Sequence, residues 1–198
     1  MELILASNNP GKLREMRAIL TEMGHEVCSQ REAGLDFVAE ETGDTFLANA
    51  RIKAQAVVDA TGRAAIADDS GIVVEALGGA PGVDSANYGG AVCETDRDRL
   101  NYLLQNMEGE ENRNAAFVST IVCMFPDGSS IEAEGRISGE LLREPRGEGG
   151  FGYDPIFFVP ELGMSFAEAP PDVKNRLSHR GRALAQFRGK WERYHADK

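Results

Sequence analysis

Apolar positions recur along the chain in two rhythms, one of three to four residues and one of two, and the switches between them outline the fold. Residues 2–6 form a short apolar run that predicts a buried strand. Residues 12–23 place Leu13, Met16, Ile19 and Leu20 on one helical face and stop at Gly24. Asp44 or Thr45 is placed to cap a second helix that runs to about residue 60, with Phe46, Ala50, Ala54 and Val57 inward. Residues 64–67 and 72–77 read as two strands separated by Asp68-Asp69-Ser70-Gly71. A third helix over residues 95–107 rests on Leu100, Leu103, Leu104 and Met107. Residues 115–125 and 130–137 flank Pro126-Asp127-Gly128 as a hairpin. A short strand at 156–159 precedes a last helix over 178–194, with Leu184, Phe187, Trp191 and Tyr194 on one face. Helices interleaved with strands and one hairpin predict an α/β protein with a mixed sheet.

A chain of 198 residues makes one domain, or two lobes sharing a core, over residues 1–198. Its net charge of −11 argues against a nucleic-acid partner, because a phosphate backbone rewards a basic face. A single nucleotide needs only a local cluster of donors, or a metal ion held by carboxylates. No apolar run approaches the roughly 20 residues of a membrane span, and the opening residues lack the basic start of a secretory leader. Neither a membrane partner nor export is expected. Cys28, Cys93 and Cys123 are odd in number and far apart, with no Cys-x-x-Cys, so they read as small hydrophobes in a reducing cytoplasm. His25 and His195 have no polar company in sequence and read as structural or exposed.

Four segments place polar residues and glycines where a core does not need them. Ser7-Asn8-Asn9-Pro10-Gly11-Lys12 joins a strand to a helix, and such a loop aims backbone N–H groups at an anion while Lys12 adds a point charge. A plain strand–helix turn uses the same residues. Asp68 and Asp69 follow an apolar strand; side chains of adjacent extended residues point to opposite sides, so the pair divides its work between a metal ion and the turn, or simply forms a surface turn. Glu40-Glu41-Thr42-Gly43-Asp44 either favours a helix N-terminus or completes a Mg²⁺ site. In the last third, glycines surround Phe151 and Tyr153, where an aromatic ring can stack on a base. Lys174 follows, and His179 and Arg180 lie in the first turn of the last helix, where cations oppose the helix dipole.

Together these segments resemble the Ham1-type family of inosine/xanthosine triphosphate pyrophosphatases. The residues that carry the likeness are Ser-Asn-Asn-x-x-Lys at 7–12, Glu-Glu-Thr-Gly at 40–43, Ala-Asp-Asp-Ser-Gly at 67–71, Gly-Gly-Ala-Pro-Gly at 78–82, Gly-Gly-Phe-Gly-Tyr-Asp-Pro at 149–155 and Ser-His-Arg at 178–180. The Gly-Gly-Phe-Gly-Tyr-Asp-Pro and Ser-His-Arg segments favour this family over the related Maf-type pyrophosphatases. The resemblance implies an elongated mixed sheet flanked by helices in two lobes with a central cleft, a homodimer and a Mg²⁺ cofactor. It implies that Ser7, Asn8, Asn9 and Lys12 bind the triphosphate, and that Asp69 is the catalytic carboxylate and a metal ligand, with Glu40 the second acid. Ser70, Phe151, Gly152, Tyr153, Asp154, Lys174, His179 and Arg180 would contact the substrate. The commoner first motif of the family is Thr-Gly-Asn; here Asn8 stands at the glycine, a residue that tolerates left-handed backbone angles.

The expected reaction converts a non-canonical purine triphosphate such as ITP, dITP or XTP to its monophosphate and pyrophosphate. Lys12 and Lys174 are expected to stabilise the leaving group, and Arg180 or a backbone N–H near residues 151–154 to read the 6-oxo group that adenine lacks.

Overall fold

The structure, a computed structural model, describes residues 1–196. Its strands are β1 (Glu2–Leu5), β2 (Glu26–Ser29), β3 (Ala65–Val74), β4 (Asn114–Met124), β5 (Ser130–Leu141), β6 (Phe157–Val159) and β7 (Met164–Ser165). They form one mixed sheet in the order β2-β1-β3-β4-β5-β6-β7. The register of β1 on β3 is parallel, with Ile4 opposite Ala65, whereas Glu140 on β5 meets Phe158 on β6 antiparallel. The helices are α1 (Pro10–Glu22), α2 (Phe46–Thr61), α3 (Asp96–Asn106), α4 (Pro171–Leu177) and α5 (His179–Ala196). None is long and apolar enough to cross a membrane among the described residues.

Chain contacts divide the fold into two compact units. The first comprises Met1–Asp69, Ser119–Gly135 and the segment from His179 on. Its core has two faces. Leu3, Leu5, Ile66 and Ile121 pack with Met16 and Leu20 of α1 and Leu184 and Phe187 of α5, while Ile4, Ala65, Ala67 and Val122 meet Ala50, Ala54 and Val57 of α2. Successive strand residues thus serve opposite helical layers, as the two-residue repeat of a strand requires. The second unit, Ser70–Val118 with Arg136–Ser178, has its own core of Ile72, Val74, Leu100, Leu103, Ile137, Phe157 and Phe166.

Helix boundaries follow local chemistry. Asn9 caps α1 by accepting from the Gly11 and Lys12 N–H groups, and Thr45 caps α2 through the Ala48 N–H. Thr95 and Asp98 form a reciprocal capping box on α3. The first turn of α5 lies against β5 at Gly135, where a Cβ would stand 2.1 Å from the His179 carbonyl oxygen and 2.3 Å from the Ala183 nitrogen.

The structure departs from the sequence pattern at four places. Residues 64–67 and 72–77 are not two strands around a turn; β3 runs unbroken through Asp68-Asp69-Ser70-Gly71, and residues 75–77 form a 3-10 turn instead. Polar residues inside a strand mimic a turn in sequence, yet here both aspartates are buried and paired. Strands β2 and β7 and helix α4 were not anticipated, because each is too short for periodicity to register.

Candidate active site

In the first unit, the two central aspartates of β3 take separate partners. Asp68 is 1% exposed and receives the Lys12 Nζ at 3.0 Å, the Arg180 Nη2 at 3.1 Å and the Ser119 hydroxyl. Burial alone would raise its carboxyl, but Arg180 and Lys12 override that and hold it well below the usual carboxylate range. Arg180 also donates to Glu15 of α1, which stands one turn after Lys12. Lys12, Asp68, Arg180 and Glu15 thus form a linked row of alternating cations and anions. Burial lowers the Lys12 ammonium, and Asp68 restores only part of that loss.

Asp69 turns to α2. Its Oδ1 accepts from Lys53 Nζ at 2.8 Å, and the same ammonium donates to Glu41 at 3.0 Å. The Asp69 Oδ2 is buried with no hydrogen-bond partner. Burial pushes this carboxyl up to about 6 against the pull of Lys53 and Lys12. Burial works against the Lys53 charge, but Asp69 outweighs it and the ammonium is held more firmly than usual. An orphaned buried carboxylate oxygen is a suitable ligand for a hard cation. Among the described residues no group of three or more His, Cys, Asp or Glu side chains forms a ready metal cage. That is compatible with Mg²⁺, which keeps most of its waters and needs only one or two protein oxygens.

The loop before α1 is organised around its helix cap. The Asn9 side chain is committed to the Gly11 and Lys12 N–H groups at 2.9 and 3.1 Å, and the Ser7 hydroxyl accepts from the Asn9 N–H at 3.2 Å. Asn8 is exposed between them. Left-handed backbone is confined to glycines among the described residues, so Asn8 is not a substitute for a glycine angle.

In the second unit, the segment 149–154 folds as a turn around the Asp154 carboxylate. Asp154 accepts from the Phe151 N–H at 2.8 Å and from Lys174 Nζ at 2.6 Å, and Lys174 lies 4.9 Å from the centre of the Phe151 ring. Both charged groups are buried, so the pair is a strong internal tether. The Gly152 N–H donates to Asp96 at the start of α3 across 3.0 Å. Tyr153 is buried and donates its hydroxyl to the Ser85 carbonyl at 2.8 Å. The ring of Phe151 stays half-buried.

These contacts place three of the residues expected at the site from sequence. Arg180, expected to read the base, is 1% exposed and committed to Asp68 and Glu15. Tyr153, expected at the substrate, spends its hydroxyl inside the fold. Of the acidic pair, Glu41 and not Glu40 reaches the Lys53–Asp69 pair; Glu40 is exposed. His179 is buried in the first turn of α5 and Ser70 is half-buried beside Asp69 on β3.

Lys53, Ser119 and Glu15 were not foreseen. Lys53 had a signal: it stands three residues after Ala50 and four before Val57, on the inward stripe of α2, where a lysine needs a buried anion. Ser119 and Glu15 had none, since a serine in an apolar strand and a glutamate on an amphipathic helix are ordinary.

The profile of the Ham1 family matches residues 3–190. A dITP/XTP pyrophosphatase of Thermus thermophilus is 51% identical over 187 residues, covering 93% of this chain and 88% of that protein. A dITP/XTP pyrophosphatase of a Nostoc species is 50% identical over 184 residues, covering 92% and 90%. Among solved structures, a Ham1 protein of Coxiella burnetii aligns with a TM-score of 0.87 and 41% identity over 98% of this chain and 99% of that one. The Ham1 protein of Staphylococcus aureus aligns with a TM-score of 0.86 and 38% identity over 98% and 100%.

Proposed function

The chain belongs to the Ham1 family, and from that premise we propose that it hydrolyses non-canonical purine nucleoside triphosphates such as dITP, ITP and XTP, with Asp69 as its catalytic carboxylate. The products are the monophosphate and pyrophosphate. Such a reaction keeps the non-canonical bases out of nucleic acids. The observation that carries the assignment of Asp69 is its buried oxygen without a partner, next to an oxygen held by Lys53.

Asp69 and Glu40 would hold the Mg²⁺ ion, which when bound supplies a positive charge that neutralises phosphate oxygens and acidifies water. Lys53 would fix the orientation of Asp69 through one oxygen and leave the other, which is buried, for the metal. Asp69, or the metal itself, would assist removal of the proton from the attacking water. Lys12 keeps 14% of its side-chain surface accessible and opposes the charge that builds on the pyrophosphate. Ser7, Asn8 and Ser70 offer further polar contacts to the phosphates. Phe151 would stack on the base, with Gly152 and Asp154 shaping the turn beneath it; Lys174 would stabilise the leaving group and also pairs with Asp154 in that turn. His179 would add a polar contact from the start of α5. The proposal extends to a single catalytic domain over the chain, a homodimer and a cytoplasmic setting, the last supported by three unpaired cysteines.

A product assay with dITP and Mg²⁺, with dATP as control, tests this reading. Pyrophosphate and dIMP with dATP nearly untouched is the expected result. Orthophosphate with dIDP would mean attack at the terminal phosphate and would overturn it, as would folded protein without turnover.

A further inference from the structure

The Gly78-Gly79-Ala80-Pro81-Gly82 segment has no role in the chemistry above, yet it delivers Ser85 to a buried position in the second unit. The segment returns along β3: the Val74 N–H donates to the Ala80 carbonyl at 3.2 Å, and Val73 pairs with Pro81. Ser85 then makes contacts in three directions. Its Oγ accepts the Ile72 N–H at 2.9 Å and donates to the Gly82 carbonyl at 2.6 Å. Its own carbonyl accepts the Tyr153 hydroxyl at 2.8 Å. The approach is so close that a Cβ on Gly71 would lie 2.3 Å from both the Gly82 oxygen and the Ser85 Oγ. The glycine that ends Asp68-Asp69-Ser70-Gly71 is therefore a docking surface for this loop.

We propose that Ser85 is a positioning residue for base discrimination, acting through Tyr153 on the turn that presents Phe151. The inference rests on the reading that this turn binds the base. A turn with glycines at 149, 150 and 152 has many accessible conformations and must be held to present one. Of its tethers, Asp96 has a side chain 55% exposed, so its bond to the Gly152 N–H competes with water. The Tyr153–Ser85 bond is buried and does not. Ser85 is also bonded to the backbone of Ile72, so the turn is tied to the part of β3 that lies in the second unit.

Kinetics with dITP and dATP on Tyr153→Phe, Ser85→Ala, their combination and Phe151→Ala, with melting curves for each, test the inference. Tyr153→Phe, which keeps the ring and removes one oxygen, should raise KM for dITP about ten-fold and narrow the dITP-to-dATP ratio of kcat/KM, with kcat changing less. Ser85→Ala should move both in the same direction, and the double variant should lose less than the product of the single losses. Unchanged KM and ratio in folded Tyr153→Phe, or a loss that only follows the folded fraction, would overturn the proposal; this variant decides alone where Ser85→Ala does not fold. Phe151→Ala with an unchanged dITP-to-dATP ratio would instead overturn the reading of the turn as the base site, so the two failures are distinguishable.

Discussion

Lys53 donates to one oxygen of Asp69 at 2.8 Å and leaves the other buried without a partner, so the lysine orients the carboxylate without saturating it. A cation placed in this way has two effects. It keeps Asp69 from rotating, and it offsets part of the burial that raises its carboxyl to about 6.

Lys53→Met should therefore lower kcat by about 100-fold, a loss typical of removing one preorganised electrostatic partner. Asp69→Asn should cost about 1,000-fold or more with the fold intact. Steady-state kinetics on dITP, with circular dichroism as a folding control, check both. Near-normal turnover of Asp69→Asn would remove it from catalysis.

The two glutamates before α2 should separate by their dependence on metal. Glu40→Gln should raise the Mg²⁺ concentration needed for half-maximal rate about ten-fold with little change at saturation. Glu41→Gln, which strips one anion from Lys53, should lower the rate at saturating Mg²⁺ and leave the half-saturation point in place. Mg²⁺ titrations of both variants decide this, and the reverse pattern would exchange the two assignments.

Asp68 answers to stability before chemistry. Removing its carboxylate by Asp68→Ala leaves Lys12 and Arg180 facing each other in a buried site. Breaking one partner of a buried ionic cluster costs about 3–5 kcal/mol. Urea denaturation should show that loss, and a change below 1 kcal/mol would mean the cluster relaxes to admit water.

His25 gives the fold a pH dependence unrelated to the site. It is 7% exposed, with its ring edge-on to Trp191 at 4.5 Å. Burial lowers it below its usual value near 6.5, aided by the Met1 amino group and His195. The unfolded chain then binds a proton at a pH where the folded one does not, so stability falls as pH drops below about 6.5. Denaturation midpoints from pH 8 to pH 5 should decline, and His25→Phe should flatten that decline. An equal slope in the variant would place the effect elsewhere.

Much of this architecture was legible because it is locally encoded. The inward stripe of α2, the Thr45 cap and the hairpin at Pro126-Asp127-Gly128 each depend on residues a few positions apart, and all three form as the pattern implies. The same locality misled at β3. Asp-Asp-Ser-Gly has the composition of a turn, and only distant partners make it an interior strand segment. For the site, chemistry was visible and pairing was not. Residue type and motif single out Lys12, Asp69, Phe151, Lys174 and Arg180, but not the contacts that Arg180 makes with Asp68 and Glu15.

Residue identity and spacing by themselves determined the fold class, the four longer helices, the hairpin and the acidic and glycine-rich segments, because propensity, capping and amphipathic period act over one or two turns. Only tertiary structure decided that Asp68 is a structural anion and Asp69 a poised one, although they are neighbours of the same type. Asp68 finds Arg180 across 112 positions of sequence, whereas Asp69 finds Lys53 across 16. Burial raises both carboxyls, but two cations and a hydroxyl outweigh it at Asp68, whereas Lys53 and Lys12 do not at Asp69. Which charges meet, and how much water they lose, depends on packing across the sheet, and no local pattern carries that information.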